Sequence, residues 1–147
     1  MEIIYLTIED ARKCYLQTIE YSGGGSAGEL DTAKLDSVLA HIQNDDYYPE
    51  FADKLTHLFF CVCKFHCFVD GNKRMAITLS AQFLLVNGRL AAAKTYFRDT
   101  ENISYYVAAG AISKDLLRDY LAALLSGGAD DEALKLRLLH AMEMSQS

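Results

Sequence analysis

The sequence predicts an all-α fold, a compact single-domain helical bundle, and three observations carry that expectation. Apolar residues recur at three- and four-residue spacings over most of the chain, and the long alternation of a half-buried strand is absent. The segment from Asn72 to about Asn87 is apolar on nearly all sides, as a helix at the centre of a helical domain would be. The length of 147 residues, 51% apolar and 23% charged, gives one domain with a single core and enough apolar material to offset the entropy of ordering it.

Thr7-Ile8-Glu9-Asp10 has the Thr-x-x-Asp form of a capping box, and helix-forming residues follow it to about Tyr21. The cluster Ser22-Gly23-Gly24-Gly25-Ser26-Ala27-Gly28 then breaks the chain as a flexible loop. Leu35, Val38, Leu39 and Ile42 place a second helix over Leu30 to about Ile42. A polar turn with two aromatics, Asn44 to Pro49, leads to a third helix from Pro49 to Phe65. Pro49 suits its first turn, Glu50 and Asp53 its positive end, and Phe51, Leu55, Leu58, Phe59 and Val62 form its apolar face.

The apolar segment from Asn72 is the fourth helix, with Asn87-Gly88 as a left-handed stop. Residues 89–98 are assigned an extended conformation. Two further helices are expected over about Glu101–Ala111 and Ser113–Leu125, closed by Ser126-Gly127-Gly128. Residues 1–127 thus form the domain. Residues 128–147 are a C-terminal extension with an amphipathic helix over Asp130–Met144, its Leu134, Leu138 and Ala141 along one side. That helix packs on the core, covers the site or pairs two protomers.

The formal net charge of −6 disfavours a basic nucleic-acid-binding domain and a polybasic membrane-surface protein. The charge is unevenly spread: residues 1–63 carry 4 basic and 11 acidic side chains, residues 64–98 carry 6 and 1, and residues 99–147 carry 4 and 8. A basic island therefore sits inside an acidic chain. The longest uncharged run, Met75 to Gly88, is 14 residues, short of the roughly 18 that span a bilayer, and the acidic N-terminus does not resemble a secretory signal. The expected location is cytoplasmic, with Cys14, Cys61, Cys63 and Cys67 as reduced thiols.

The chemistry concentrates in His66-Cys67-Phe68-Val69-Asp70-Gly71-Asn72-Lys73-Arg74. Gly71 permits a tight turn, and the backbone N–H groups of Gly71, Asn72, Lys73 and Arg74 point out of the positive end of a helix, an anion nest. Lys73 and Arg74 add fixed positive charge, Arg74 with two donors for phosphate oxygens. Asp70 offers the hard oxygen that Mg²⁺ prefers when it shares its shell with phosphate and water. His66 is a base that titrates near neutral pH, and Phe68 points inward to pin the loop. Each residue alone fits a solvated interhelical turn; the whole set at this spacing fits binding a polyphosphate and moving part of it.

This string resembles the signature of the Fic/Doc superfamily, His-x-Phe-x-(Asp/Glu)-(Gly/Ala)-Asn-(Gly/Lys)-Arg, with every fixed position met. About 125 residues resemble the short Doc (death on curing) branch, including a Leu-x-x-Asn-Gly helix stop. The resemblance implies a Fic/Doc-type bundle with a short flap before the motif helix. It implies His66 as the general base acting on a Ser, Thr or Tyr hydroxyl of a target protein, and Asp70 as the holder of Mg²⁺ on the phosphates of ATP or another NTP. It assigns phosphate binding to Asn72 and Arg74 beside the helix-end amides, and the flap that aligns the target to about Asn44–Glu50. AMP-transferring members usually have Gly where this chain has Lys73 and a second Arg where it has Ile77. Both differences match the Doc branch, in which the nucleotide binds reversed and the γ-phosphoryl is transferred. A protein kinase is therefore the expected activity, with protein AMPylation as the alternative and an inactive nucleotide- or partner-binding module as a distant one.

The inhibitory (Ser/Thr)-x-x-x-Glu-(Gly/Asn) motif of many Fic proteins is missing, because Phe97 precedes Glu101-Asn102 by four residues. Restraint by a small antitoxin in trans is expected, and translation factors are one class of target the resemblance suggests. A competing metal site would gather His57, Cys61, Cys63, His66 and Cys67 at helical spacings. It lacks the Cys-x-x-Cys knuckle of structural zinc sites, and buried cysteines acting as small apolar residues are the reading adopted. His41 and His140 read as surface helix residues, and Tyr105 and Tyr106 as packing.

Overall fold

A computed structural model describes residues 2–21, 32–65, 67, 71–128 and 131–145. The Gly-rich segment Ser22–Gly28, the expected helix start at Leu30 and Asp130 lie outside the described residues. So do His66, Phe68, Val69 and Asp70. Among the described residues the chain forms seven helices and no strand: α1 Ile8–Tyr21, α2 Thr32–His41, α3 Phe51–Lys64, α4 Asn72–Val86, α5 Leu90–Ala108, α6 Lys114–Ser126 and α7 Glu132–Met144. The all-α fold is as predicted. No helix among them is long and apolar enough to cross a membrane.

Local chemistry explains most boundaries. The box at α1 is reciprocal: the Asp10 N–H donates to Thr7 Oγ1 at 3.1 Å and the Thr7 N–H to Asp10 Oδ2 at 2.9 Å. α3 starts two residues later than expected, because the Glu50 N–H donates to Asp53 Oδ2 at 3.0 Å and closes the cap at Glu50. Pro49 accordingly precedes the cap instead of entering the first turn. Ser113 caps α6 by accepting from the Leu116 N–H at 3.1 Å, and Asp131 caps α7 by accepting from Ala133 at 2.9 Å. Gly88 takes φ +73 after α4, the left-handed stop expected there.

One element departs from expectation. Residues 90–98, assigned as extended, are the first half of α5, which runs unbroken for 19 residues. The run Leu90-Ala91-Ala92-Ala93-Lys94 consists of strong helix formers. Tyr96, Thr100, Ile103 and Val107, spaced four, three and four apart, make one buried face.

The most enclosed helix is α3, with ten of its 14 residues buried against seven of 15 in α4. It packs against α2, α4, α5 and α6, while α4, expected to be buried all round, leaves Leu85 exposed. Apolarity alone underrated α3 because three buried positions are polar and internally satisfied. Lys54 Nζ donates to the Ile42 carbonyl at 2.8 Å and to Asp45 at 2.7 Å, and Thr56 donates to the Ala52 carbonyl at 2.6 Å. Lys114 Nζ donates to His57 Nδ1 at 2.9 Å, which requires that nitrogen to be unprotonated. α7 rests on α6, its Leu134 and Leu138 buried.

His57 creates an acid sensitivity. Burial, then the charges of Lys114 and His41, lower its imidazole from its ordinary 6.5 to about 4. Between those pH values the unfolded chain takes up a proton that the folded chain does not. Stability is therefore full above about pH 6.5 and falls toward pH 4, by about 3 kcal/mol from this group. In His57→Gln, which keeps a neutral acceptor for Lys114, urea unfolding midpoints should fall less between pH 7 and pH 4.5 than in the wild type. Equal falls would contradict this account.

Candidate active site

α3 and α4 pack side by side and run in opposite directions, since Phe51 at the start of α3 stacks on Phe83 near the end of α4 with centroids 4.8 Å apart. The end of α3 therefore lies beside the start of α4, and the motif bridges them. Gly71 is the N-cap of α4 with φ +74, a left-handed conformation that favours glycine. The first helical bond runs from the Met75 N–H to the Gly71 carbonyl at 2.8 Å, so the amides of residues 72–74 lie ahead of the intrahelical ladder and aim along the axis at the positive end. No acidic residue occupies that first turn. Lys73 and Arg74 are exposed, and Asn72 is half-buried.

The nest opens on two hollows. A cleft of about 580 Å³ is lined by Gly71, Lys73, Arg74 and Ile77 of the motif side and by Phe97, Glu101, Asn102, Ser104 and Tyr105 of α5. A groove of about 1190 Å³ runs on the other side, between Arg74 and Thr78 and the α1 residues Cys14, Gln17, Thr18 and Glu20. Arg74 and Phe97 line both.

Of the residues singled out in the sequence, Gly71, Asn72, Lys73 and Arg74 meet at this helix end; His66 and Asp70 lie outside the described residues. Cys67, within the motif, is fully buried; Phe68, expected to pin the loop, is not described. Tyr105 was read as packing, but it is 58% exposed and lines the cleft, whereas Tyr106 packs on the core. The α5 wall escaped sequence reading because the extended assignment hid that Phe97, Glu101 and Tyr105 share one helix face at four-residue spacings. His41 and His140 are exposed, as expected.

The turn assigned as a flap is elsewhere. α3 is 14 residues, about 21 Å, and Asn44–Glu50 sits at its start, the end remote from Gly71. That turn does not border the nest; the last turns of α1, with Gln17, Thr18 and Glu20, do.

The thiols are poorly suited to metal or nucleophile roles. Burial pushes Cys61 up to about 11 and Cys63 up to about 12, and the described cysteines form no disulfide. Cys61 Sγ lies 3.6 Å from the His57 ring nitrogens, but Nδ1 of that ring already accepts from Lys114. No group of three or more metal-binding side chains gathers among the described residues.

An all-helical domain with a Gly-capped, cation-bearing helix end following His-x-Phe-x-Asp defines a class, and the chain belongs to the Fic/DOC family. A family model of that description matches residues 5–84. The chain is 34% identical over 110 residues to a protein of Mycolicibacterium smegmatis named Toxin Doc, an alignment covering 72% of this chain and 82% of that one. No solved structure matches the chain.

Proposed function

We propose that this protein transfers the γ-phosphoryl group of ATP, or of another NTP, to a Ser, Thr or Tyr hydroxyl of a target protein, as the toxin of a toxin–antitoxin pair acting in the cytoplasm. The observation that carries the reading is the positive end of α4, where Lys73 and Arg74 stand exposed at the mouth of a cleft of about 580 Å³, within the size range of nucleotide sites. The relative named Toxin Doc supports the toxin role and, with it, an antitoxin supplied in trans.

His66 takes the proton of the acceptor hydroxyl, whose oxygen attacks the γ-phosphorus in line as the bond to the leaving diphosphate breaks. Asn72, Arg74 and the amides of residues 71–74 hold the phosphate oxygens and neutralise charge, so the chain contributes mainly positioning and electrostatics. A carboxylate immediately before the nest suits Mg²⁺, which binds through one or two carboxylates plus phosphate; Asp70 would hold it, and it would supply further charge neutralisation. γ-Phosphoryl transfer is favoured over AMP transfer because Lys73 adds bulk and charge at the nest and Ile77, 3% exposed in the cleft wall, offers no grip on a far phosphate.

Incubation with a cell lysate and ATP labelled at either the α or the γ phosphate tests the reading. Protein-bound γ label without α label is the expected result. Protein-bound α label would establish AMP transfer instead, and neither label would favour the inactive binding module.

A further inference from the structure

The turn Asn44–Glu50 lies at the end of α3 remote from Gly71, so it does not receive a polypeptide whose hydroxyl enters the cleft. A further hollow, of about 610 Å³, lies beyond the α5 wall. Tyr105, Ala109, Gly110 and Ala111 from the end of α5 and Met144 and Ser145 from the end of α7 line it. Tyr105 lines both this hollow and the cleft, so the two adjoin at that side chain. Two helix C-termini meet here: α5 ends at its C-cap Ala109 and α7 at its C-cap Ser145, and neither has a basic residue in its last turn. At the α5 end the N–H groups of Ala109, Gly110, Ala111 and Ile112 donate to the carbonyls of Tyr105, Tyr106 and Val107. Among the described residues no backbone N–H donates to the carbonyls of Ala108, Ala109 or Gly110.

Each helix end carries about half a negative charge, and Glu143 in the last turn of α7 is exposed. Lys64 Nζ stands 3.7 Å from the point where a side chain on Gly110 would begin, so an ammonium already finds a place beside these carbonyls, and its single charge is less than the two poles and Glu143 together. Residues 99–147 as a whole carry 4 basic and 8 acidic side chains, a balance that favours a basic partner over an acidic one. Tyr105 is 58% exposed and meets Tyr106 edge-on, centroids 5.2 Å apart at 88°, which holds its ring at the boundary of cleft and hollow. An aromatic face beside end carbonyls is what a guanidinium or an ammonium takes as partners. We propose that the hollow binds an arginine or lysine side chain of the acceptor protein, its cation stacked on Tyr105 and donating to the end carbonyls of α5. The proposal rests on the reading of the cleft as the nucleotide site of a transferase. From Glu101 in the cleft to Ala109 in the hollow is about 12 Å along α5, which roughly four extended residues span, so the basic residue lies about that far from the modified hydroxyl.

The test titrates the full chain, labelled with ¹⁵N, with tetra-arginine and with tetra-glutamate peptides of blocked termini, in the wild type, Ala109→Arg and Ala109→Glu. Ala109 is exposed, so both variants should fold, and the two add similar bulk with opposite charge. Tetra-arginine should shift the amides of residues 105–111 and 141–145, and tetra-glutamate should not. Ala109→Arg should weaken tetra-arginine binding about fivefold or more, and Ala109→Glu should bind at least as tightly as the wild type. Shifts spread over the acidic surface at large, or equal weakening in both variants, would overturn the cation site. Shifts of the same amides with protein concentration alone would also overturn it, placing a second copy in the hollow. The second measurement is γ-label transfer from ATP into lysate protein. Tetra-arginine should inhibit it in a way relieved by more lysate protein and not by more ATP, and Ala109→Arg should raise the lysate requirement about fivefold or more with the ATP requirement within about twofold. Binding without inhibition would give the hollow to a basic partner other than the acceptor and overturn the proposal. Transfer of no label by the wild type would reject the transferase reading instead, and the amide shifts would still report whether the hollow takes a cation.

Discussion

His66→Ala lowers phosphoryl transfer by at least about a hundredfold, the lower end of what a positioned general base contributes, and leaves ATP binding within a few-fold of wild type. The asymmetry follows from the division of labour at the site. On the proposed reading the phosphates are held by the end of α4, where Lys73 and Arg74 are exposed, whereas the proton is taken by His66, which follows α3 in the sequence. Removing the imidazole takes away the proton acceptor without touching a group assigned to phosphate. Equilibrium binding of a fluorescent ATP analogue and the label-transfer assay separate the two quantities. In cells, the wild-type chain expressed without any neighbouring gene should arrest growth, and His66→Ala should not. Transfer at the wild-type rate by His66→Ala, or loss of nucleotide binding together with activity, would reject the assignment.

Phe83→Ala has the largest expected effect on stability, about 3–5 kcal/mol. Phe83 is fully buried near the end of α4, stacked on Phe51 of α3 at 4.8 Å and 10° and on Tyr5 of the N-terminal segment at 6.2 Å and 28°. Its backbone carbonyl also accepts from the Asn87 side chain, which pairs in both directions with the backbone of Ile4 at 2.8 and 2.9 Å. The ring therefore joins three segments that sequence places far apart, and its loss leaves a cavity that two aromatic neighbours cannot fill by small shifts. At a few degrees per kcal/mol for a chain of this size, the midpoint of thermal unfolding should drop by roughly 10 °C. A drop of only a degree or two would mean that the cluster relaxes to fill the space. The effect should appear in stability and not in the catalytic rate of the folded fraction, because Phe83 lies at the end of α4 remote from Gly71.

Much of the fold was legible because its signals are local. A Thr-x-x-Asp box, an Asn-Gly stop and a Ser cap each act over three or four residues, and each behaves in the structure as its chemistry predicts. The first half of α5 was not legible from local pattern, since the face that settles its conformation, Tyr96 through Val107, is defined by what it packs against. The enclosure of α3 was hidden for a related reason: its buried Lys54 and His57 are satisfied by Asp45, the Ile42 carbonyl and Lys114, which only the fold brings beside them. The flap was misplaced because sequence order put Asn44–Glu50 before the motif, while antiparallel packing of α3 and α4 carries that turn to the opposite end.

The site divides along the same line. Sequence by itself determined the nest, because Gly71, Asn72, Lys73 and Arg74 are consecutive and a helix N-terminus is built from consecutive amides. It also determined the family, since nine adjacent residues carry the signature and the match over residues 5–84 agrees with them. Only the tertiary structure decided what faces the nest: Phe97, Glu101 and Tyr105 across the cleft, and Gln17 and Glu20 along the groove. The physical reason is that an anion nest is a property of one helix end, whereas a pocket is a property of surfaces that meet only when distant segments pack.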